Sequence, residues 1–409
     1  KAAQMVGQLL AIITIPRLLG ADDHGRLAFV LAFAYVAQIL GDFGTLEVMS
    51  RYVPTLTRPE VSRLYNRTLA FKLMVGLVCG VITAGLAMLL SHWMQLGWAI
   101  LFGIGVAAHI IGWVPFQLLL GLNYVGHWMV EQSWRQGALV VLLVVLYPWL
   151  GLSGAMLAWA LMEIVFCGLG FWWTRSYFKK SELIFNWSYM RPYLKFGVGF
   201  FLANLVGALL YRSGPVLIES LTGQSAHAGY LNLALGLYLM PYLLLTQMAL
   251  SLVPALSNLY NRGERAQMQQ WLNNFVRYSW LIGWLAPLGV WLTASWAVPL
   301  VFGPGYEPAI ATLKVISLAI PLSALVWTGN AVANVTGRGQ VKFWATVSAL
   351  LVFLALTFFL APLYGATGAA IALCFAIGVN VAVLTIFLYP DLTFQWSLLI
   401  ISSVVGIAL

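Results

Sequence analysis

The chain has 409 residues, of which 62% are hydrophobic and only 8% charged, against roughly 25% charged in soluble domains. Water is therefore excluded as its main solvent, and with it a soluble enzyme or binding module of this length. The net charge of +9 does not indicate nucleic acid, because the basic residues are spread thinly between apolar runs and not gathered on one face.

A spanning helix needs ~20 mostly apolar residues, and such runs fill the chain. In order they lie near 1 to 19, 26 to 49, 66 to 91, 96 to 122, 132 to 150, 152 to 174, 192 to 217, 228 to 254, 273 to 298, 309 to 336, 340 to 361 and 365 to 390. Residues 395 to 409 begin a thirteenth. Pro241, Pro287 and Pro321 fall within spans, which membrane helices tolerate where neighbours satisfy the freed carbonyls. Cys79, Cys167 and Cys374 each sit in an apolar run without a CxxC spacing, so they read as packing residues and not as a metal site or disulfide framework. The chain starts at Lys1 and stops at Leu409 inside apolar runs, and both ends are expected to be cut.

Lysine and arginine fall mostly on one side of this topology, including Arg51, Arg58, Arg63, Arg67, Lys72, Arg135, the stretch Arg175 to Lys195, Arg262, Arg265, Arg277, Arg338 and Lys342. The positive-inside rule assigns that side to the cytoplasm. Both ends of a twelve-span core then lie inside, and the short loops at 20 to 25 and 218 to 227 lie outside.

The chain also repeats itself. Pro148-Trp-Leu-Gly151-Leu-Ser-Gly154-Ala155-Met-Leu-Ala158 aligns without a gap to Pro362-Leu-Tyr-Gly365-Ala-Thr-Gly368-Ala369-Ala-Ile-Ala372. Upstream, Leu19-Gly20 to His24-Gly25 resembles Leu221-Thr-Gly223 to His227-Ala-Gly229. The expected fold is all-α and integral to the membrane, with two six-helix lobes related by a pseudo-twofold along the membrane normal and room for an extra helix pair at the C-terminus. The lobes are placed at 1–175 and 192–390, joined by a cytoplasmic linker at 176–191, with 391–409 starting the thirteenth span. Parallel repeats of this kind are a transporter architecture that works by alternating access.

The strings Ile15-Pro16-Arg17-Leu18-Leu19-Gly20, His24-Gly25-Arg26-Leu27-Ala28-Phe29, Asp42-Phe43-Gly44 and Arg51-Tyr52-Val53 resemble the opening hairpin of the Wzx-type polysaccharide flippases. Those belong to the multidrug/oligosaccharidyl-lipid/polysaccharide exporter superfamily. Phe302-Gly303-Pro304-Gly305-Tyr306 and Gly337-Arg338 are similar to that family in the second lobe. The resemblance implies a flippase that moves an undecaprenyl-pyrophosphate-linked oligosaccharide, for O-antigen, capsule or exopolysaccharide, from the cytoplasmic to the periplasmic leaflet. It also implies an inner-membrane location, a lipid-linked oligosaccharide as partner with anionic phospholipid and other polysaccharide-assembly proteins around it, no nucleic acid, and a single chain that works as a monomer.

A pyrophosphate crossing ~30 Å of hydrocarbon needs fixed positive charge, and an intramembrane arginine is by default a functional hypothesis. Arg212 lies ~12 Å of helix from the outer end of the seventh span; its alternatives are snorkelling and a pair with Glu219. Arg17 and Arg26 flank the first outer loop beside Asp22 and Asp23, as a phosphate gate or a solvated cluster. Arg51 ends the second span and Lys314 opens the tenth. Asp42 shares a helical face with Tyr35, Gln38 and Thr45, as a coupling site for protons or sodium or as a partner of Arg51. Glu163 and Arg135 reach similar depth across a hairpin and read as an ion pair. Ser323, Trp327, Asn330 and Asn334 share a face suited to sugar or to helix packing, and the repeat places Gln117 of the other lobe near Asn330. No catalytic group, metal site or organic cofactor is expected; the driving force is left open between protons, sodium and membrane potential.

The rival readings are a cation-coupled multidrug exporter or a lipid II flippase of the same superfamily, and, more remotely, a membrane-embedded glycan polymerase or glycosyltransferase. The first would want acidic residues where this chain has Arg17, Arg26 and Arg212. The last would want a long outer loop that this chain lacks.

Overall fold

The structure, a computed structural model, describes residues 2–389 and Asp391. Its helices follow the apolar runs: α1 (Ala2–Asp42), α2 (Thr45–Tyr52), α3 (Arg58–Leu90), α4 (Leu96–Gly121), α5 (Val125–Leu150), α6 (Leu152–Thr174), α7 (Trp187–Arg212), α8 (Gly214–Thr222), α9 (Ser225–Asn261), α10 (Arg265–Phe302), α11 (Ala309–Ser317), α12 (Ala319–Val335) and α13 (Gly339–Leu388). Among the described residues ten helical segments are long and apolar enough to cross a membrane. The expected thirteenth span lies outside the described residues.

Ten and the expected twelve are reconciled by two glycines. α1 and α13 each contain one non-helical residue, Gly20 (φ 74°) and Gly365 (φ 54°), at the turns expected between the first two and the last two spans. At Gly365 the chain doubles back, because a Cβ on Gly368 would overlap the Leu360 carbonyl, which in a continuous helix lies ~12 Å away. The α5–α6 turn repeats this detail. Gly151 has φ 55° and ψ −137° where Gly365 has φ 54° and ψ −131°, and Gly154 crowds the Leu146 carbonyl as Gly368 crowds Leu360. The sequence repeat is thus a repeated hairpin turn, whose positive φ only glycine adopts without strain.

Three further expected spans are broken. The second ends at Asp42, where Phe43 and Gly44 take positive φ before α2 begins. The seventh stops at Arg212, with Ser213 and Pro215 opening α8. The tenth divides into α11 and α12 at Leu318. A hydropathy reading cannot see these breaks, because the residues at them are small or apolar.

The helices form two compact units. Of the described residues, the first comprises 2–19 and 26–223, and the second 20–25, 224–389 and Asp391. Contacts group α7 and α8 with the first unit, α7 packing on α2. In the first unit α3 packs along α4 and α4 along α6, around a core in which Phe29, Trp93, Phe102 and Trp159 meet ring to ring or through shared neighbours. In the second, α12 packs on α9, α10 and α13. Residues such as Leu89 (81% exposed) and Trp149 (86%) stand on the outside, as they must where the surroundings are lipid.

Each unit's hairpin glycine gives a test. Alanine at Gly151 meets no atom within 4 Å, whereas alanine at Gly365 meets the His227 ring as well. Both variants carry the backbone strain of ~1–3 kcal/mol, and thermal unfolding in detergent should show Gly365→Ala lowering the midpoint further than Gly151→Ala.

Candidate functional site

One seam of the first unit gathers several of the expected residues. α7 runs antiparallel to the end of α1 and to α2, and its contacts come in register. The Arg51 guanidinium lies over the Phe196 ring, 4.3 Å from its centre. Gly197 touches Gly44 backbone to backbone, and Phe201 stacks on Phe43 at 5.3 Å. Asn204 donates to the Glu47 carboxylate at 3.4 Å. The Arg212 guanidinium lies 5.2 Å from the centre of the Tyr35 ring. From Phe196 to Arg212 the helix rises ~24 Å, most of the ~30 Å hydrocarbon thickness. Both arginines are exposed, held by aromatic faces and free to meet an anion. Arg212 and Glu219 do not pair: the Glu219 carboxylate accepts from the Trp93 indole N–H at 2.7 Å instead.

Midway along the seam the end of α1 is fastened from behind. The Lys72 ammonium donates to the carbonyls of Gly41 and Asp42 at 2.6 and 2.7 Å and stands 3.4 Å from the Asp42 carboxylate. The Gln117 amide donates to the same carboxylate oxygen at 2.7 Å, and the Thr45 hydroxyl at 2.9 Å. Asp42 thus meets Lys72 and Gln117 and not Arg51. Lys72, read from the sequence as a cytoplasmic loop charge, is 1% exposed within α3. It caps the negative end of a helix dipole, and a lone lysine inside an apolar run was the signal for it.

A second buried cluster ties α4, α5 and α6. Arg135 bridges Glu131 at 2.8 Å and makes a close ion pair with Glu163, and His109 lies 3.1 Å from Glu163 and against Arg135. The Glu163–Arg135 pair was expected; His109, within an apolar run, and Glu131, just before one, were not. Arg135, like Lys72, belongs to the interior and not to a loop. Trp113 stacks on His109; the Arg135–Glu163 pair ties α5 to α6, and His109 brings in α4.

The other expected residues are placed separately. Arg17 is exposed. Arg26 is half-buried with its guanidinium 5.8 Å from the Trp93 ring centre. In the second unit the Lys314 ammonium lies 5.8 Å from the Trp291 ring centre, and the Trp291 indole donates to the Lys314 carbonyl. The α12 face turns toward α9: Ser323 bonds the Tyr238 hydroxyl at 2.8 Å, and Trp327 meets Tyr242 edge-on at 5.5 Å. Asn330 is buried and Asn334 exposed. The sequence did not single out His24, which is 4% exposed and bonded to both Asn232 and Tyr306 at 3.1 Å.

A family model described as polysaccharide biosynthesis protein matches residues 2–260. No curated protein matches the chain. Among solved structures, a lipid II flippase MurJ in an inward closed conformation is similar with a TM-score of 0.82 and 14% identity, over 100% of this chain and 90% of that one. A multidrug resistance MATE family transporter of the MOP superfamily is similar in its inward-facing conformation with a TM-score of 0.76 and 14% identity, over 95% of each chain. An outward-facing structure of such a transporter gives 0.55 at 14% identity, over 95% of this chain and 97% of that one. At these identities the likeness establishes the fold.

The buried cluster is testable apart from transport. Glu163→Ala leaves the Arg135 charge half-compensated and should lower unfolding stability by about 3 kcal/mol. Glu163→Gln keeps the volume and a hydrogen-bonding oxygen and should lose less than half as much, both read from denaturant unfolding in mixed micelles.

Proposed function

Because the chain belongs to the polysaccharide biosynthesis protein family, we propose that it is a flippase for an undecaprenyl-pyrophosphate-linked oligosaccharide of the O-antigen, capsule or exopolysaccharide type. It moves this lipid from the cytoplasmic to the periplasmic leaflet of a bacterial inner membrane by alternating access. The observation that carries the reading is the pair of exposed arginines, Arg51 and Arg212, set on aromatic rings at opposite ends of one seam. A pyrophosphate needs a fixed cation at each end of its path, and arginine supplies a permanent charge with several donors. In the orientation of the positive-inside rule, Arg51 receives the headgroup on the cytoplasmic side and Arg212 meets it near the periplasmic side. Both ends of the twelve-span core then lie in the cytoplasm.

Chemistry favours this over export of organic cations. A cationic substrate requires exposed carboxylates, whereas Asp42 and Glu163 are committed to Lys72 and Arg135, and the Glu47 carboxylate in the seam accepts from Asn204. Lipid II shares the pyrophosphate, so the seam suits it equally, and the glycan must be distinguished by assay. The stripe of Trp327, Asn330 and Asn334 would serve sugar only through Trp327 and Asn334, which keep exposed surface.

The test is flipping in proteoliposomes with a short undecaprenyl-pyrophosphate oligosaccharide and, in parallel, lipid II. Arg212→Ala and Arg51→Ala should each slow flipping about tenfold or more, since a hydrogen bond to a charged group contributes ~1.5–3 kcal/mol. Native protein that moves neither lipid and instead exports organic cations overturns the reading.

A further inference from the structure

The end of α1 is built as a cation cage. Three oxygens converge on the Lys72 ammonium: the Gly41 and Asp42 carbonyls at 2.6 and 2.7 Å, and the Asp42 carboxylate at 3.4 Å. The carbonyls are those that a helix terminus leaves without backbone partners, and they carry the negative end of its dipole. Thr45 and Gln117 donate to the same oxygen of the Asp42 carboxylate. All of these side chains are buried except Asp42, which keeps 16% exposure.

One oxygen is left over. The Gln117 side chain is 0% exposed, and its Oε1, bonded to the same carbon as the Nε2 that holds Asp42, has no hydrogen-bond partner. An ammonium has three N–H groups, and the three oxygens already exhaust them. A metal cation is not limited in this way, because it collects six or more oxygens at closer range. Among the described residues the Asp42 carboxylate is the anionic group in contact with the ammonium, and the Glu47 carboxylate acts on it from farther off, so the cage favours a cation.

We propose that the Gly41 and Asp42 carbonyls and the Asp42 carboxylate form a monovalent-cation site that the Lys72 ammonium permanently occupies, with the unpartnered Gln117 amide oxygen in reserve as a further ligand for a free cation. The lysine is a tethered cation. It supplies from within the chain the charge that would otherwise be taken from solution, so Asp42 does not take up free sodium while Lys72 is seated. Vacating the site should make the protein depend on a free cation. The proposal concerns this one cluster in the first unit and does not depend on what is transported.

The experiment uses the full chain in detergent, with thermal unfolding followed at constant ionic strength in choline, sodium or potassium chloride, or with n-propylammonium, which replaces the side-chain atoms that alanine removes. Sodium and choline should give the native protein the same midpoint. Lys72→Ala should have a lower midpoint in choline and regain about 3 °C or more in sodium, potassium or n-propylammonium. The regain should vanish when Asp42→Asn is added. Should Lys72→Ala fail to fold in choline, recovery of monodisperse protein only with the small cations supports the site, and no recovery in any of them overturns it. A folded Lys72→Ala indifferent to all four cations overturns it as well, and so does a regain that survives Asp42→Asn.

Discussion

A peptide group in hydrocarbon has no water to bond, and leaving its N–H or C=O unpaired costs several kcal/mol. Everything in this chain follows from that constraint. It makes the described spans helices, and it allows a helix to break only where some other group takes over the freed carbonyls. At the end of α1 that group is Lys72, which reaches across from α3 to the carbonyls of Gly41 and Asp42. The break frees Phe43 to stack on Phe201 and lets Gly44 touch Gly197. The seam with α7 therefore exists because the first long helix is capped by a buried cation.

The same constraint governs the charges. Two sets of ionisable residue stand apart in the first unit. Lys72, Asp42, Arg135, Glu131 and Glu163 compensate one another within the helix packing. Arg51 and Arg212 stay exposed on aromatic faces at the two ends of the seam along α7. The first group holds helices to one another and would lose stability if its members were separated; the second keeps its donors available. That division is what the proposed anionic lipid substrate would require of the unit.

The repeated turns show how a weak sequence signal acquires physical meaning. Gly151 and Gly365 share a backbone conformation, and three residues later Gly154 and Gly368 crowd equivalent carbonyls. A Cβ at Gly368 would collide with the backbone of the preceding helix, so the glycines mark where the chain doubles back tightly. In the second unit Gly25 and Gly229 do related work, where a side chain on either would overlap the other segment's backbone. These small residues carry little hydropathy information and much packing information.

The sequence by itself determined that the chain spans a membrane many times, that it is all helix, that it carries an internal repeat and that Arg135 and Glu163 pair. These follow from composition and from spacing along one helix or across one hairpin, which are local quantities. Only the tertiary structure decided that Lys72 is an interior cap and not a loop charge, that Asp42 answers to Lys72 and Gln117, and that α7 lies with the first unit. It also decided that the α12 stripe turns its Ser323 and Trp327 to α9. The physical reason is that a charged or polar side chain in a membrane helix is placed by whichever partner relieves its desolvation. For Lys72 that partner lies thirty residues away, and for Gln117 seventy-five, distances over which hydropathy and helical spacing carry no information.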